Sequence, residues 1–129
     1  MSEPDVTRVF EPLRLGALER QVMNILWDLG GSTIRSVIDN LSSDPAYTTI
    51  ATVLGNLVRK ELVIARRCDR SVYYSSRHTR EEYAALLMRH ALDSSTNHAA
   101  SMLHFVQAIS PSDLELLRTY LRDGTDRLE

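Results

Sequence analysis

The sequence is poor in the residues that staple, coordinate or span. It has one cysteine, Cys68, which excludes an intramolecular disulfide and a multi-cysteine metal centre. The four histidines, His78, His90, His98 and His104, lack the spacing that would place two ligands on one helix face, and no metal site is expected. No apolar run approaches the ~20 residues that span a bilayer. The stretch from Met1 to Arg14 carries acids and two prolines, unlike a signal or transit peptide. A cytoplasmic chain without membrane insertion is therefore expected. Enzyme signatures are also missing: there is no GxSxG, no phosphate-cradling glycine loop, no HExxH and no paired carboxylates. Neither an enzymatic activity nor a cofactor is expected. Excess charge is lacking too. Fifteen basic and 17 acidic residues give a net charge of −2, which argues against coating nucleic acid by bulk electrostatics.

What is present is an ordinary globular composition, 43% hydrophobic and 25% charged over 129 residues. Residues 1–13 read as a loose arm. Leu18, Val22, Ile25, Leu26 and Leu29 recur at helical spacing over Ala17–Leu29, and Gly30-Gly31 stops that helix. Thr33 caps a short second helix carrying Ile34, Val37, Ile38 and Leu41. After the turn residues Ser42-Ser43-Asp44-Pro45, a third helix is predicted over Thr48–Lys60, with Ile50, Val53, Leu54, Leu57 and Val58 inward. The period then changes to that of strands. Leu62–Arg67 and Val72–Ser75 flank the polar link Cys68–Ser71 as a hairpin, and Ser32-Thr33 offers a minimal third strand. Three further helices follow. One opens at the capping box Thr79–Glu82, one runs from His98 to Ile109, and one opens at Ser110-Pro111 and stops at Gly124. Three helices and a hairpin make a winged helix-turn-helix. The fold class is mainly α with a small β-hairpin (α+β), and the domains are 1–13 arm, 14–77 winged helix, 78–124 helical segment and 125–129 tail.

The third helix carries the most chemistry. Its outer face holds Thr48, Thr49, Ala51, Thr52, Asn56, Arg59 and Lys60, and its start near Tyr47 presents free N–H groups to a phosphate. Short hydroxyl and amide side chains approach base edges and phosphates closely, threonine methyls and Ala51 fit the thymine methyl, and Asn56 suits adenine. Threonine is a poor helix former, so a run of it points to recognition. Gly55 lies mid-helix at a cost of roughly 1 kcal/mol against alanine. The charge is local: seven basic residues against Glu61 and Asp69 between Asn56 and Arg80. Arg66, Arg67 and Arg70 crowd the hairpin tip, where a wing meets backbone phosphate. Cys68 between them reads as an inert exposed thiol.

The last three helices are too short to stand alone and too apolar on one face to stay uncovered. Leu86, Leu87, Leu92, Met102, Leu103, Phe105, Val106, Ile109, Leu114, Leu117, Tyr120 and Leu121 need a common burial site, either back on the N-terminal domain or across a two-fold axis; dimerisation is expected, because it also gives DNA two reading helices. The expected partners are double-stranded DNA and a second copy of the chain. Two other readings stay open: a winged-helix module that binds protein, and a ligand- or metal-sensing regulator.

Leu15–Trp27 (LGALERQVMNILW) resembles the opening helix of the penicillinase repressor family, the BlaI/MecI type related to copper repressors. Ala46–Leu54 (AYTTIATVL) is similar to its recognition helix, and Lys60–Val63 with the basic turn and Tyr73-Tyr74 is similar to its wing. The resemblance covers about residues 13–121. It implies a homodimeric repressor of β-lactamase or other stress genes, bound to inverted repeats with TACA/TGTA-like half-sites. It further implies release when a membrane sensor protease cuts the C-terminal segment. Where the family is cut at an Asn-Phe bond, this chain has His104-Phe105. Asn56 stands where members often carry arginine. The C-terminal cysteines of the copper-sensing branch are absent.

Overall fold

A computed structural model describes residues 14–127, so the expected arm over 1–13 and the end of the tail lie outside the described residues. The described residues form two compact units, one ending at His90 and the other beginning at Ala91.

The first unit opens with α1 (Ala17–Leu29), whose start is closed by the Glu19 carboxylate accepting from the Gly16 N–H at 3.0 Å. It stops at Gly30, whose φ of 77° is the left-handed geometry that glycine tolerates. α2 (Ile34–Asp39) is capped by the Thr33 hydroxyl, which accepts from the Ser36 N–H at 3.2 Å. α3 (Tyr47–Arg59) follows, then β1 (Val63–Cys68) and β2 (Ser71–Ser76), antiparallel with Val63 opposite Ser76 and Cys68 opposite Ser71. Asp69 turns the hairpin at φ 57°, a conformation aspartate tolerates better than most side chains. The expected minimal third strand is one bridge, Ser32 to Tyr74, with N–H to O distances of 2.9 and 2.8 Å.

The core is built from Val22, Met23 and Leu26 of α1, Val37, Ile38 and Leu41 in and after α2, and Ile50, Leu54 and Leu57 of α3, closed by Leu62 and Val63. One expectation on α1 is corrected. Leu29 is exposed, and Met23 takes a buried place instead. Leu29 lies on nearly the same helix face as Val22, but it is the last residue of α1 and is not among the side chains packed on the core.

α4 (Arg80–Asp93) starts at the predicted capping box: the Glu82 N–H donates to the Thr79 hydroxyl, and the Thr79 N–H donates to Glu82 Oε1, both at 3.0 Å. That backbone donation from Thr79 holds the Glu82 carboxyl below its ordinary pKa. Within the first unit, Tyr83, Leu86 and Leu87 pack on the winged-helix core. The Trp27 and Tyr83 rings lie 5.4 Å apart, and the Trp27 indole N–H donates to the His78 carbonyl at 3.0 Å.

The second unit holds α5 (His98–Ala108), capped by Asn97, and α6 (Pro111–Arg127). Here the expected stop at Gly124 is corrected: α6 runs through it to Arg127, so most of the expected tail is helical. Glycine permits a left-handed cap but does not compel one, and Gly124 keeps a negative φ. Among the described residues no helix is long and apolar enough to cross a membrane.

Candidate nucleic-acid interface

α3 is held by Ile50, Leu54 and Leu57, all fully buried. Opposite them, Thr48, Thr52, Gly55 and Arg59 recur three and four residues apart, the spacing of one helix face. All four are exposed. Tyr47 and Thr49 flank this line exposed, while Ala51 and Asn56 flank it half-buried. Unlike α2 and α5, α3 has no side-chain cap: its N-cap is Ala46, whose carbonyl accepts from the Thr49 N–H at 3.1 Å but whose methyl side chain can accept nothing. A helix end left in that state, with no acid in its first turn, attracts an anion.

The structure refines what each side chain can offer. The Thr52 hydroxyl donates to the Thr48 carbonyl at 2.9 Å, so towards solvent it presents its methyl and an oxygen lone pair. Arg66 and Arg67 are consecutive on β1 and therefore face opposite sides of the wing. Arg70 lies in the turn, and all three are exposed. Among the described residues no ion pair engages Arg59, Arg66, Arg67 or Arg70. Four cations without carboxylate partners on one short stretch leave a positive surface within a chain whose total is −2.

Lys60, expected on the DNA-facing side, has partners within the chain. Its ammonium donates to both Glu19 oxygens at 3.0 Å and to the Arg14 carbonyl at 3.1 Å. With side-chain exposures of 21% for Lys60 and 17% for Glu19, this is a sheltered clamp between the end of α3 and the start of α1. The Lys60 ammonium is thus engaged within the chain. Conversely, Arg35 on α2 went unnoticed in the sequence. Its guanidinium lies 5.9 Å from the Tyr47 ring centroid, beside the open start of α3. No local pattern marks it, because the contact joins two helices.

An open cleft of about 400 Å³ lies elsewhere in the first unit, lined by Trp27, Ser76, Arg77, Thr79 and Arg80 among others. Several of its polar groups are already engaged. Arg80 pairs with Asp28 at 3.1 Å and lies over the Trp27 ring, and the helix start beside it is closed by Thr79 and Glu82. Among the described residues no group of three or more His, Cys, Asp or Glu could hold a metal ion.

In the second unit Met102, Leu103, Phe105 and Val106 of α5 and Leu116, Leu117, Tyr120 and Leu121 of α6 are exposed. Ile109 and Leu114 are half-buried. The His104-Phe105 bond lies inside α5, with both residues exposed. Leu86 and Leu87, grouped in the sequence with these residues, lie instead against the first unit's core.

A family model described as penicillinase repressor matches residues 15–123. Proteins named transcriptional regulator BlaI from two strains of Mycobacterium tuberculosis are 40% identical to the chain over 116 residues, covering 85% of this chain and 84% of theirs. The fold is similar to the solution structure of a winged helix-turn-helix DNA-binding domain from Mycobacterium bovis, described as homodimeric and as a possible ArsR-family transcriptional regulator. That likeness has a TM-score of 0.50 at 23% identity and covers 76% of this chain and 95% of the other. It concerns the fold alone.

Proposed function

The chain belongs to the penicillinase repressor family of DNA-binding transcriptional regulators, and on that premise we propose that it is a cytoplasmic homodimeric repressor that reads an inverted-repeat operator with α3. The observation that carries this reading is the outer face of α3: an uncapped helix start and an exposed polar line directly opposite the buried residues. Tyr47, Thr48, Thr49, Ala51, Thr52 and Asn56 meet base edges in the major groove. Arg35, Arg59, Arg66, Arg67 and Arg70 neutralise phosphate. Half-sites of the TACA/TGTA kind, upstream of β-lactamase or other stress genes, are the family's pattern and the first to try.

Dimerisation falls to α5 and α6. Eight exposed large apolar side chains on two adjacent helices suit burial against a second copy, which places two copies of α3 on successive major-groove turns. Release by a membrane sensor protease has a structural condition: the His104-Phe105 bond must leave the helix before a protease can hold it in extended form.

Two substitutions test the DNA reading. Thr52→Ala removes a methyl and an acceptor from the base-facing line, and is expected to weaken binding to a selected operator by about fivefold while sparing non-specific DNA. Equal losses on both duplexes would remove Thr52 from base reading. Arg67→Ala is expected to weaken binding to every sequence and to lower the slope of log K against log salt by about 1. An unchanged slope takes Arg67 away from the phosphates. A module that binds only protein gives no sequence-selective complex in the same titrations.

A further inference from the structure

We propose that Gly55 is a specificity-determining position of α3, the point where bare helix backbone seats against the operator, and that operator affinity depends on the absence of a side chain there. The inference rests on the reading of α3 as the recognition helix.

Gly55 is not explained by the fold. It sits inside a 13-residue helix without the positive φ that would require glycine. A Cβ built on it meets nothing within 4 Å, so no packing partner excludes a side chain. Glycine is among the worst residues for a helix interior, and alanine would make the same helix more stable. The chain thus carries a glycine that weakens a helix for no benefit within the chain.

Its position supplies the benefit. Gly55 lies on the exposed line with Thr48, Thr52 and Arg59, opposite Ile50, Leu54 and Leu57. The side chains beside it are short. Thr52 has its hydroxyl proton turned inward to the Thr48 carbonyl, and Asn56 is half-buried on the flank. Side chains of that length touch base edges only if the helix axis lies deep in the major groove. A side chain at 55 would be the first group to meet the DNA and would hold its neighbours away. The long Arg59 tolerates such a displacement, because its guanidinium reaches phosphate from further out. Gly55 therefore favours base contacts over phosphate contacts, and so specificity over bulk affinity.

The test uses the full chain and a duplex of about 30 base pairs, long enough for two half-sites one helical turn apart, selected from a randomised library by the wild-type chain. A scrambled duplex of the same composition serves for non-specific binding. Gly55→Ala is expected to raise Tm by roughly 4 °C, as helix propensity dictates. The same variant is expected to weaken binding to the selected duplex by about fivefold, and Gly55→Leu by about thirtyfold or more, with less than about a twofold change on the scrambled one. Undiminished binding by both variants overturns the proposal. So does a lowered Tm for Gly55→Ala, which would show that the chain itself needs the glycine. Thr52→Ala and Arg67→Ala on the same duplexes separate the two levels. If they weaken binding and the Gly55 variants do not, this inference alone fails; if neither has an effect, the reading of α3 and the wing fails with it.

Discussion

Leu54→Ala is expected to destabilise the first unit by about 3–4 kcal/mol, the range for removing a large aliphatic side chain from a closed core. Leu54 is fully buried in the middle of α3, between Ile50 and Leu57, and faces the core shared by α1, α2 and the wing. Collapse into the cavity is restricted, since all three neighbouring elements are fixed by buried residues of their own. A small domain has roughly 5–15 kcal/mol of stability in total, so the loss leaves little in reserve. Trp27, the chain's one tryptophan, lies in the same unit and packs on its core, so its fluorescence in a denaturant titration reports this unfolding. Leu29→Ala is the control: that side chain is 53% exposed, and its removal should cost less than about 1 kcal/mol. If the two variants shift the midpoint equally, the core has been misassigned.

The second large effect is on assembly. If the proposed dimer forms through α6, replacing both Leu117 and Tyr120 with glutamate yields a monomer and weakens operator binding by about 100-fold or more, because the second half-site no longer binds as part of one molecule. The two residues lie three apart on α6, on one face, and Tyr120 is 60% exposed. Glutamate is a good helix former, so far-ultraviolet circular dichroism should keep its helical amplitude. What changes is the proposed partner face: a carboxylate buried against a second copy loses its hydration, which opposes association. Sedimentation velocity gives the oligomeric state, and titration of the selected duplex gives the affinity. A variant that stays dimeric with unaltered affinity would move the dimer interface off α6.

Much of the fold is legible in the sequence because its signals are local. The apolar periods of α1 and α3, the Thr33 cap, the Thr79–Glu82 box and the change to strand period after Glu61 each need only a few neighbouring residues, and each has its counterpart in the structure. Gly124 shows how such a signal misleads: a possible helix stop is a stop only if the backbone turns left-handed there. The interface is legible in part. The exposed line of α3 follows from helical spacing alone, and the basic excess around the wing follows from the local charge, though which of its cations are paired does not. What each polar group is free to do does not follow.

The sequence by itself determined the three helices and basic hairpin of the first unit, most of the inward face of those helices and the outward polar face of α3, since residue spacing and chain geometry settle these within a turn or two. Only the tertiary structure decided where the long side chains spend their charge. Lys60 is taken by Glu19, 41 residues away, and Arg80 by Asp28, 52 away. Arg35 comes to the ring of Tyr47 across two helices, and α4 lays Tyr83, Leu86 and Leu87 on the first unit's core. A flexible cation finds the partner that packing brings within a few ångströms, and that proximity is a property of the folded chain, to which no window of neighbouring residues gives access.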